Sequence, residues 1–304
     1  MNYSFDVIVY GSVYCDFIFT GLPGMPRLGE ELYASGLNFE LGGSAIVAAG
    51  LNKLGIKVGL LADLGTDPFS QMAWDMLKEI GLDRTLIRRF EIPLKQVTVA
   101  LSFPKDRAFI TCFQQPDKPP NIQSILNEYP SKHIHICGFK PALDSPQINQ
   151  VAHQLGTTVS FDPGWDPKIL KDPNLRKIIR DVDIFMPSKV ELCHLTGESD
   201  LDLAASMLLD EMLNGTLIVK DGIYGAYGFT SNNNVKIHTP AISVKPIETT
   251  GAGDSFDAGF LFAFLQEKPL ASCMQYGSIC GGLSTTAIGG ISGFPTLEEV
   301  EKWL

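Results

Sequence analysis

The chain has 304 residues, of which 45% are hydrophobic, and its formal net charge is −10. The length suffices for one large domain with an extensive core, and the acidic balance argues against nucleic-acid binding, which needs clustered Lys and Arg. No apolar run approaches the length of a membrane span and the first residues lack a signal-peptide pattern, so we expect a cytoplasmic protein. Six scattered cysteines without a C-x-x-C pair agree with a reducing compartment.

The amino-terminal part alternates between strand patterns and helical patterns. Apolar β-branched runs indicate strands, and apolar residues at helical spacing followed by Gly indicate helices. The predicted elements are a strand at 5–12, a helix at 44–55, a strand at 57–65 and a helix at 67–81. Asp67 and Pro68 suit the N-cap and the first position of the second helix. The basic pair Arg88–Arg89 that follows predicts a solvated loop.

Four strand-like pieces interrupt this alternation. KQVTVALSF and AFITCF flank the short segment 104–107, which is a hairpin pattern. FIFTG and LYASGLNFEL lie between residues 14 and 41 with no helical pattern between them. Because these pieces do not follow a strand–helix–strand order, they predict a small separate sheet built from about 14–41 and 95–114.

The alternation returns after Asn121. SKHIHICGF, TTVSFDPG, DIFMPS, GTLIVKDG and YGAYGFT predict strands, and the residues from Ser255 to Gly290 predict two long helices. Repeated strand–helix units predict an α/β fold, with one domain over 1–304, a mainly parallel sheet covered on both faces and the small β-sheet attached. Ligands in such sheets bind beyond the carboxyl ends of the strands.

The stretch ETTGAGDSFDAGF, residues 248–260, places glycines directly before a carboxylate. Gly251, Ala252 and Gly253 leave their amides uncovered, and the following helix adds partial positive charge, so an anion can bind there. Asp254 would spoil a plain phosphate site, but it suits a reaction in which a hydroxyl loses its proton beside developing negative charge. Phosphoryl transfer needs this division of roles. A glycine-rich turn with a capping Asp is the structural alternative.

TTGAGDSFDAGF resembles the signature of the ribokinase-like, PfkB-type carbohydrate kinases, and the resemblance continues in order along nearly the whole chain. GSVYCDF is similar to the family's first strand and its substrate-binding acid, and GGSAIVAAGLNKLG to its second signature. SFDPGW, PSKVEL and VKDGIYGAYGF are similar to three later segments. The resemblance implies a three-layer α/β/α domain with a small β-sheet lid. It also implies MgATP as phosphoryl donor and the hydroxymethyl group of a sugar-like compound as acceptor.

The resemblance also implies roles for individual residues, with Asp254 as the catalytic base. The implied contacts are Gly251, Ala252 and Gly253 for the transferred group, Asp16, Gly42 and Gly43 for the acceptor, and Ser188, Glu191, Lys220, Gly222, Gly225, Thr250 and Ser278 for ATP. Glu191 would approach Mg²⁺ through water. Glu248 and Thr250 would lie at a potassium site whose other side is formed by 286–290.

Three positions depart from the family pattern. The second signature normally carries an Asn that hydrogen-bonds the sugar, and Ile46 or Val47 occupies its place here, depending on the end from which it is counted. Neither side chain can hydrogen-bond, so either another residue substitutes or the acceptor is not a typical hexose or ribose. Ser188 replaces an Asn. Glu248 replaces an Asp, and the additional methylene of Glu248 shifts its carboxylate relative to a potassium site.

Other polar residues have both a functional and a structural interpretation. His133 and His135 lie on one face of a strand, which is a metal-ligand spacing, but no third ligand is evident and core histidines are favoured. Asp162 ends a strand where ligands gather, or it begins an ordinary turn. The segment from Lys220 to Gly225 either contacts nucleotide phosphates through its backbone or forms a hairpin.

These patterns favour an ATP-dependent kinase acting on a sugar-like small molecule. A nucleoside kinase of the same fold is the nearest alternative, because an apolar side chain at 46 or 47 would suit a base. The three departures motivate a ligand-binding relative without catalysis. A dehydrogenase is disfavoured, since GSVYCD has one Gly where the dinucleotide fingerprint needs three. Apolar pieces such as FIF on the small sheet predict a homodimer through that sheet.

Overall fold

The computed structural model describes residues 3–103, 107–230 and 235–304. The strands are β1 (Phe5–Gly11), β2 (Val13–Thr20), β3 (Gly36–Gly43), β4 (Val58–Leu64), β5 (Ile87–Arg89), β6 (Gln96–Ser102), β7 (Arg107–Phe113), β8 (Ser131–Cys137), β9 (Thr158–Asp162), β10 (Ile184–Phe185), β11 (Thr216–Lys220), β12 (Ala226–Thr230) and β13 (Val235–Thr239). The α-helices are α1 (Ser44–Lys53), α2 (Pro68–Glu79), α3 (Ile122–Glu128), α4 (Phe139–Asp144), α5 (Ile148–Gln154), α6 (Pro173–Arg180), α7 (Lys189–Thr196), α8 (Leu201–Leu209), α9 (Ala252–Leu265), α10 (Leu270–Ser284) and α11 (Leu297–Glu301). Residues 104–106 of the predicted hairpin turn lie outside the described residues.

The larger sheet has nine strands in the order β13-β12-β11-β10-β9-β8-β1-β4-β5. The strands from β11 to β5 are parallel, and β12 and β13 continue the sheet as antiparallel strands. Strands covered on both faces are apolar along their length, and β1 and β4 are buried at nearly every position. The predicted α/β class with a mainly parallel sheet is confirmed.

Two apolar clusters, one on each face of this sheet, hold the helices. Successive side chains of a strand point to opposite faces. In β1, Val7 and Val9 belong to a cluster with α1, α9 and α10, whereas Ile8 and Tyr10 belong to a second cluster with the helices from α3 to α8. The domain therefore has three layers. No helix in the described part of the chain is both long and apolar enough to cross a bilayer.

Four strands form the small sheet, in the order β3-β2-β6-β7. Residues that face each other across neighbouring strands point to the same side of a sheet. One such row is polar and consists of Glu40, Asp16, Thr98 and Thr111. The adjacent row points to the opposite side and consists of Phe39, Phe17, Val99 and Ile110. The predicted separate sheet is confirmed, and its action as a lid stays a prediction.

Two local predictions are wrong. Arg88 and Arg89 belong to the edge strand β5, where Arg88 donates hydrogen bonds of 2.6 and 2.7 Å to Asp63 of β4. A bidentate carboxylate partner explains why this basic pair is not a solvated loop. The helix α10 stops at Ser284, short of its predicted end, and the hydroxyl of Thr285 bonds a carbonyl three residues back. Such side-chain bonds to the backbone compete with continued helix.

Candidate active site

The glycine-rich stretch forms the first turn of α9, three residues earlier than the predicted helix. Gly251 is the N-cap, with a φ of 73° that only glycine adopts without strain. The amide of Ala252 donates to the carbonyl of Thr249 at 3.3 Å. The amides of Gly251, Gly253 and Asp254 have no acceptor within the described residues. Free amides at a helix N-terminus bind anions, so this turn suits a phosphoryl group.

Asp254 is the carboxylate at this turn, and it accepts no hydrogen bond from the described part of the chain. Although some of its surface is accessible, the dense surroundings desolvate it, and this burial raises the pKa of Asp254 to about 7. The negative charges of Asp162, Asp16 and Glu191 add to the rise, and the Lys220 ammonium opposes it. A carboxyl group that ionises near neutral pH is well placed to accept a proton from a hydroxyl.

Lys220 ends β11 and points into the protein beneath this turn. Its Nζ lies 2.6 Å from Oδ2 of Asp162 and 3.0 Å from both carboxylate oxygens of Asp257. These contacts occupy all three N–H groups of the ammonium. The predicted contact of Lys220 with ATP therefore depends on its backbone alone. Sequence reasoning missed Asp257, although its place three residues after Asp254 puts both acids on one face of α9.

The pKa values of the two carboxyl groups that hold Lys220 are shifted in opposite directions. Burial would raise the pKa of Asp162, but the Lys220 charge and several hydrogen bonds outweigh it and hold this pKa at about 2. Burial raises the pKa of Asp257 well above its ordinary value, in spite of Lys220. Burial alone would lower the pKa of Lys220. The charges of Asp162 and Asp257 outweigh this effect, so the pKa of Lys220 is raised. The pKa values of the two acids that contact Lys220 are therefore shifted in opposite directions.

Asp16 lies on β2 and its side chain packs against the backbone of Gly42. A Cβ added to Gly42 would lie 2.0 Å from Oδ2 of Asp16. Asp16 is 8% exposed, and its Oδ1 has no hydrogen-bond partner in the described part of the chain. Burial raises the pKa of Asp16 to about 7, with the charges of Glu40 and Glu248 adding to it and a hydrogen bond from Thr98 opposing it. A buried acceptor without a partner is a place where a ligand hydroxyl can donate.

The two apolar residues at the position of the expected Asn have different surroundings. Val47 is fully buried in the apolar cluster of α1, α9 and α10. Ile46 packs against the first turn of α9, since a Cβ on Gly251 or on Gly290 would lie 2.7 or 2.8 Å from its Cδ1. Gly43, with a φ of 63°, precedes both residues at the start of α1. Of the two residues, Ile46 is thus the one that contacts the glycine-rich turn at the start of α9.

Glu248 is buried just before this turn. Its Oε1 accepts hydrogen bonds from the amides of Thr249 and Thr250, at 2.9 and 2.7 Å, and from the Thr250 hydroxyl at 2.6 Å. Its Oε2 has no partner among the residues described. A buried carboxylate oxygen without a donor fits a cation, so these residues are compatible with the predicted potassium site. Potassium binding itself stays a prediction.

Ser188 and Glu191 cap the N-terminus of α7. The Ser188 hydroxyl accepts from the Glu191 amide at 3.2 Å, and Oε2 of Glu191 accepts from the Ser188 amide at 2.6 Å. This reciprocal pair is a capping box, which explains both residues without a ligand. Burial raises the pKa of Glu191, with Asp162 adding and Lys220 opposing. The residues described contain no cluster of three acids, histidines or cysteines that could hold a metal ion, and the contact of Glu191 with Mg²⁺ through water stays a prediction.

The predicted nucleotide residues beyond β11 meet at one segment. Gly222 and Gly225 have φ values of 54° and 90° in the turn that joins β11 to the antiparallel β12. A Cβ on Gly225 would lie 2.0 Å from the carbonyl oxygen of Thr239. The Ser278 hydroxyl of α10 donates to the carbonyl of Pro240 at 2.8 Å. The hairpin interpretation therefore describes the backbone, and nucleotide binding at this segment stays a prediction.

His133 and His135 form a buried core network. His133 bonds the hydroxyls of Thr158 and Ser160, at 2.7 and 2.6 Å, and His135 bonds Ser160 at 2.7 Å. Burial lowers the pKa of His133 to about 3 and that of His135 to about 4, so both rings are neutral. The structural interpretation fits these contacts.

Two further contacts join the small sheet to loops around the active site, and sequence reasoning singled out neither. Glu40 accepts hydrogen bonds from the amides of Ile291 and Ser292, at 3.1 and 3.3 Å. The Arg107 guanidinium donates to the hydroxyl of Thr249. The alternation of β3 is the signal for Glu40, because it places this residue two positions before Gly42 and on the same side of the sheet.

Free amides beside a carboxylate suit a kinase better than other nucleotide-dependent enzymes, because a kinase must hold a phosphoryl group and remove a hydroxyl proton at one place. Residues 4–297 match the pfkB family of carbohydrate kinases, and the chain belongs to this family. It is therefore a kinase that transfers a phosphoryl group to an alcohol group of a sugar or nucleoside.

Three known proteins illustrate the similarity. The 2-dehydro-3-deoxygluconokinase of Bacillus subtilis is 25% identical over 317 residues, which cover 98% of this chain and 95% of that protein. The structure of Arabidopsis thaliana ribokinase complexed with ribose and ATP has a TM-score of 0.84 at 21% identity and covers 98% of both chains. A putative ribokinase II from E. coli, in complex with ATP and Mg²⁺, has a TM-score of 0.80 at 24% identity. The structures confirm the ribokinase-like fold.

Proposed function

We propose that this protein transfers the γ-phosphate of ATP to a hydroxymethyl group of a sugar or sugar-like small molecule. The position of Asp254 carries this proposal, because this carboxyl group lies in the same helical turn as the free amides of Gly251 and Gly253. Its pKa of about 7 lets it lose a proton near neutral pH and take one from an acceptor. Retention of this base argues against the ligand-binding relative without catalysis.

The acceptor is proposed to be polyhydroxylated. The buried Asp16 Oδ1 lacks a hydrogen-bond partner among the described residues, and in the ionised form this atom only accepts. A ligand that satisfies it must donate, and sugar hydroxyls do so. Ile46 is 2% exposed and packs against Gly251 and Gly290, so its apolar surface is not available to a base, and the acceptor panel below tests the nucleoside alternative.

The reaction is proposed to use few residues directly. Asp254 accepts the proton of the acceptor hydroxyl, whose oxygen then bonds to the γ-phosphorus as the bond to ADP breaks. The free amides at the start of α9 donate to the oxygens of the transferred group. Glu191 would hold Mg²⁺ through water, and the ion would supply positive charge that neutralises the phosphates. Glu248 and Thr250 are proposed to serve a potassium ion.

The nucleotide is proposed to lie along Ser188, the turn from Gly222 to Gly225, and Ser278. The small sheet is proposed to close over the acceptor, because its polar row includes Asp16 and its Arg107 contacts Thr249 beside the first turn of α9. Such closure would exclude water from the reaction. Free cysteines at all six positions support the cytoplasm as the proposed location.

A panel of acceptors tests the proposed function. ADP release would be measured with ATP, Mg²⁺ and K⁺ and, in turn, D-ribose, 2-deoxy-D-ribose, D-fructose, 2-dehydro-3-deoxy-D-gluconate and adenosine. Turnover of at least one sugar is expected, and its dependence on K⁺ tests the cation site. Turnover of adenosine alone would assign a nucleoside kinase, and binding without turnover would assign a ligand-binding relative.

The Asp254→Asn variant tests the base. Removing a general base costs about 10²–10⁴-fold in turnover, whereas the free amides of the turn remain, so ATP affinity should change little. Turnover with the best acceptor of the panel and ATP affinity by calorimetry would be compared. Asp75→Asn, at an exposed acid on α2, is the matched control. Turnover of Asp254→Asn near the wild-type rate would show that another group takes the proton.

A further inference from the structure

Lys220 lies where the first turn of α9 meets the large sheet. β9 ends at Asp162 and β11 at Lys220, and the two strands flank the short β10. Asp257 is fully buried on α9, one turn after Asp254. Through its contacts of 2.6 and 3.0 Å, Lys220 joins the ends of two strands to this helix.

The ammonium of Lys220 also approaches the anion-binding amides. A Cβ on Gly253 would lie 3.7 Å from its Nζ, so the cation is close to the backbone of the first turn. The charged and titratable groups that surround Asp254 come from every neighbouring element. They are Asp16 of β2, Cys137 of β8, Asp162 of β9, Glu191 of α7, Lys220 of β11 and Asp257 of α9. Lys220 is the only cation in this set.

We propose that Lys220, held by Asp162 and Asp257, is a positioning residue that fixes the first turn of α9 to the sheet and supplies the positive charge beneath Asp254 and the free amides. This inference rests on the proposed role of Asp254 as base. Lys220 touches neither substrate, because its three N–H groups are occupied by the two acids. Its charge acts on Asp254 through space, in opposition to the surrounding carboxylates.

Three variants separate this role from simple structural support. Lys220→Met leaves the acids without a cation, so the midpoint at which Asp254 ionises should rise by about one pH unit or more. Asp162→Asn combined with Asp257→Asn leaves the cation without acids, so the midpoint should fall by a similar amount. Asp257→Asn alone leaves Asp162 in contact with Lys220, so the midpoint should move less than in the double variant. Lys132→Met, which removes a lysine paired with Asp6 at the other end of β8, is the matched control.

The midpoint would be measured on the Asp254 carboxyl carbon by ¹³C NMR titration, with the signal assigned by its loss in Asp254→Asn. The acid limb of kcat/KM, measured with the best acceptor of the panel, should move with the NMR midpoint. Opposite shifts in Lys220→Met and the double Asn variant support the proposal. An unmoved midpoint in Lys220→Met overturns it, and so does a shift of both variants in the same direction.

The test of Lys220 stays decisive if Lys220→Met does not fold or if the wild-type protein shows no turnover. If Lys220→Met does not fold, the double Asn variant decides, because it removes the Asp162 charge that raises the pKa of Asp254 and leaves the Lys220 charge that lowers it, and a midpoint that does not fall contradicts this proposed balance of charges. The NMR titration needs no acceptor, so it remains informative if the wild-type protein phosphorylates nothing in the panel. That result would contradict the proposed function, whereas an unmoved Asp254 midpoint contradicts only the role given to Lys220.

Discussion

Asp254 and Asp16 must carry charge for the proposed reaction, yet their surroundings disfavour charge. Both pKa values are raised to about 7, chiefly by burial. A carboxyl group with a raised pKa binds its proton more tightly when folded than when unfolded. Each such carboxyl group therefore lowers the free energy of unfolding as the pH rises from about 4 to about 7. Above pH 7 it lowers this free energy no further. The two residues proposed to serve the reaction thus destabilise the fold near neutral pH, where they carry charge.

Asp254→Asn should consequently stabilise the protein at pH 8 but not at pH 4. We expect a gain of about 1 to 3 kcal/mol at pH 8, because the buried charge is replaced by a neutral amide. Denaturant unfolding at both pH values would measure it. Variant and wild type must be compared at each pH, because the lowered pKa values of His133 and His135 make the free energy of unfolding of both proteins rise with pH in the acidic range. Equal stabilisation at both pH values would contradict the assigned ionisation.

Gly42 lies beside Asp16, the proposed contact of the acceptor. A methyl group here would meet the Asp16 carboxylate, which lies 2.0 Å from the position of a Cβ. Gly42→Ala should raise the acceptor KM by about tenfold or more, because small misplacements of a binding group are costly, and should leave the KM for ATP nearly constant. Gly24→Ala is the matched control, since a Cβ there meets no atom within 4 Å. An increase in the KM for ATP alone would place Gly42 at the nucleotide instead.

At the level of elements, β3 connects the small sheet to the loop after α10. Its Glu40 accepts two backbone amides of that loop, and a Cβ on Gly289 would lie 2.1 Å from the Glu40 carboxyl carbon. Hydrogen bonds to an ionised group contribute more than neutral ones. The loop is therefore fixed by a residue of the other sheet, so the two sheets cannot move independently without breaking this contact.

Glu40→Ala should destabilise the protein by about 1 to 3 kcal/mol, since it leaves two amides without their acceptor. It should also lower the pKa of Asp16, because the Glu40 charge contributes to raising that pKa. Thermal unfolding and the pH dependence of the acceptor KM would measure these effects. Glu30→Ala is the control, as Glu30 caps only an exposed turn at the Arg27 amide. A variant as stable as the wild type would show that the loop needs no such anchor.

The elements were largely predictable from sequence, whereas several partners in the site were not. Periodicity predicted the strands, α2 with its Asp67 N-cap, and the interruption that became the small sheet. Lys220 was predicted at a strand end, but its inward direction depends on Asp257, which lies 37 residues further along the chain. Arg88 was likewise misjudged, because Asp63 becomes its neighbour only when β4 and β5 pair. Local patterns define elements, and contacts between distant elements define the charge of the site.

For the whole molecule, the two sheets divide the proposed work. The carboxyl ends of β9 and β11, with the start of α9, hold the groups for phosphoryl transfer. The small sheet adds the polar row with Asp16 above them. Its opposite side is apolar, with Leu37 56% and Ile110 65% exposed. A sheet that uses one side for a ligand leaves the other side for water or for another molecule.

We expect this apolar side to pair with that of a second copy of the chain, as exposed apolar sheet faces do in dimers. In the row of Phe39, Phe17, Val99 and Ile110, the last residue lies on the edge strand β7. Ile110→Lys should turn the dimer into a monomer, because a partner would have to bury the new charge without a counter-ion. Sedimentation velocity over a range of concentrations would measure the species. Ile223→Lys, at a residue 84% exposed in the turn after β11, should leave the dimer intact. A wild-type protein that sediments as a monomer at all concentrations would exclude this role for the small sheet.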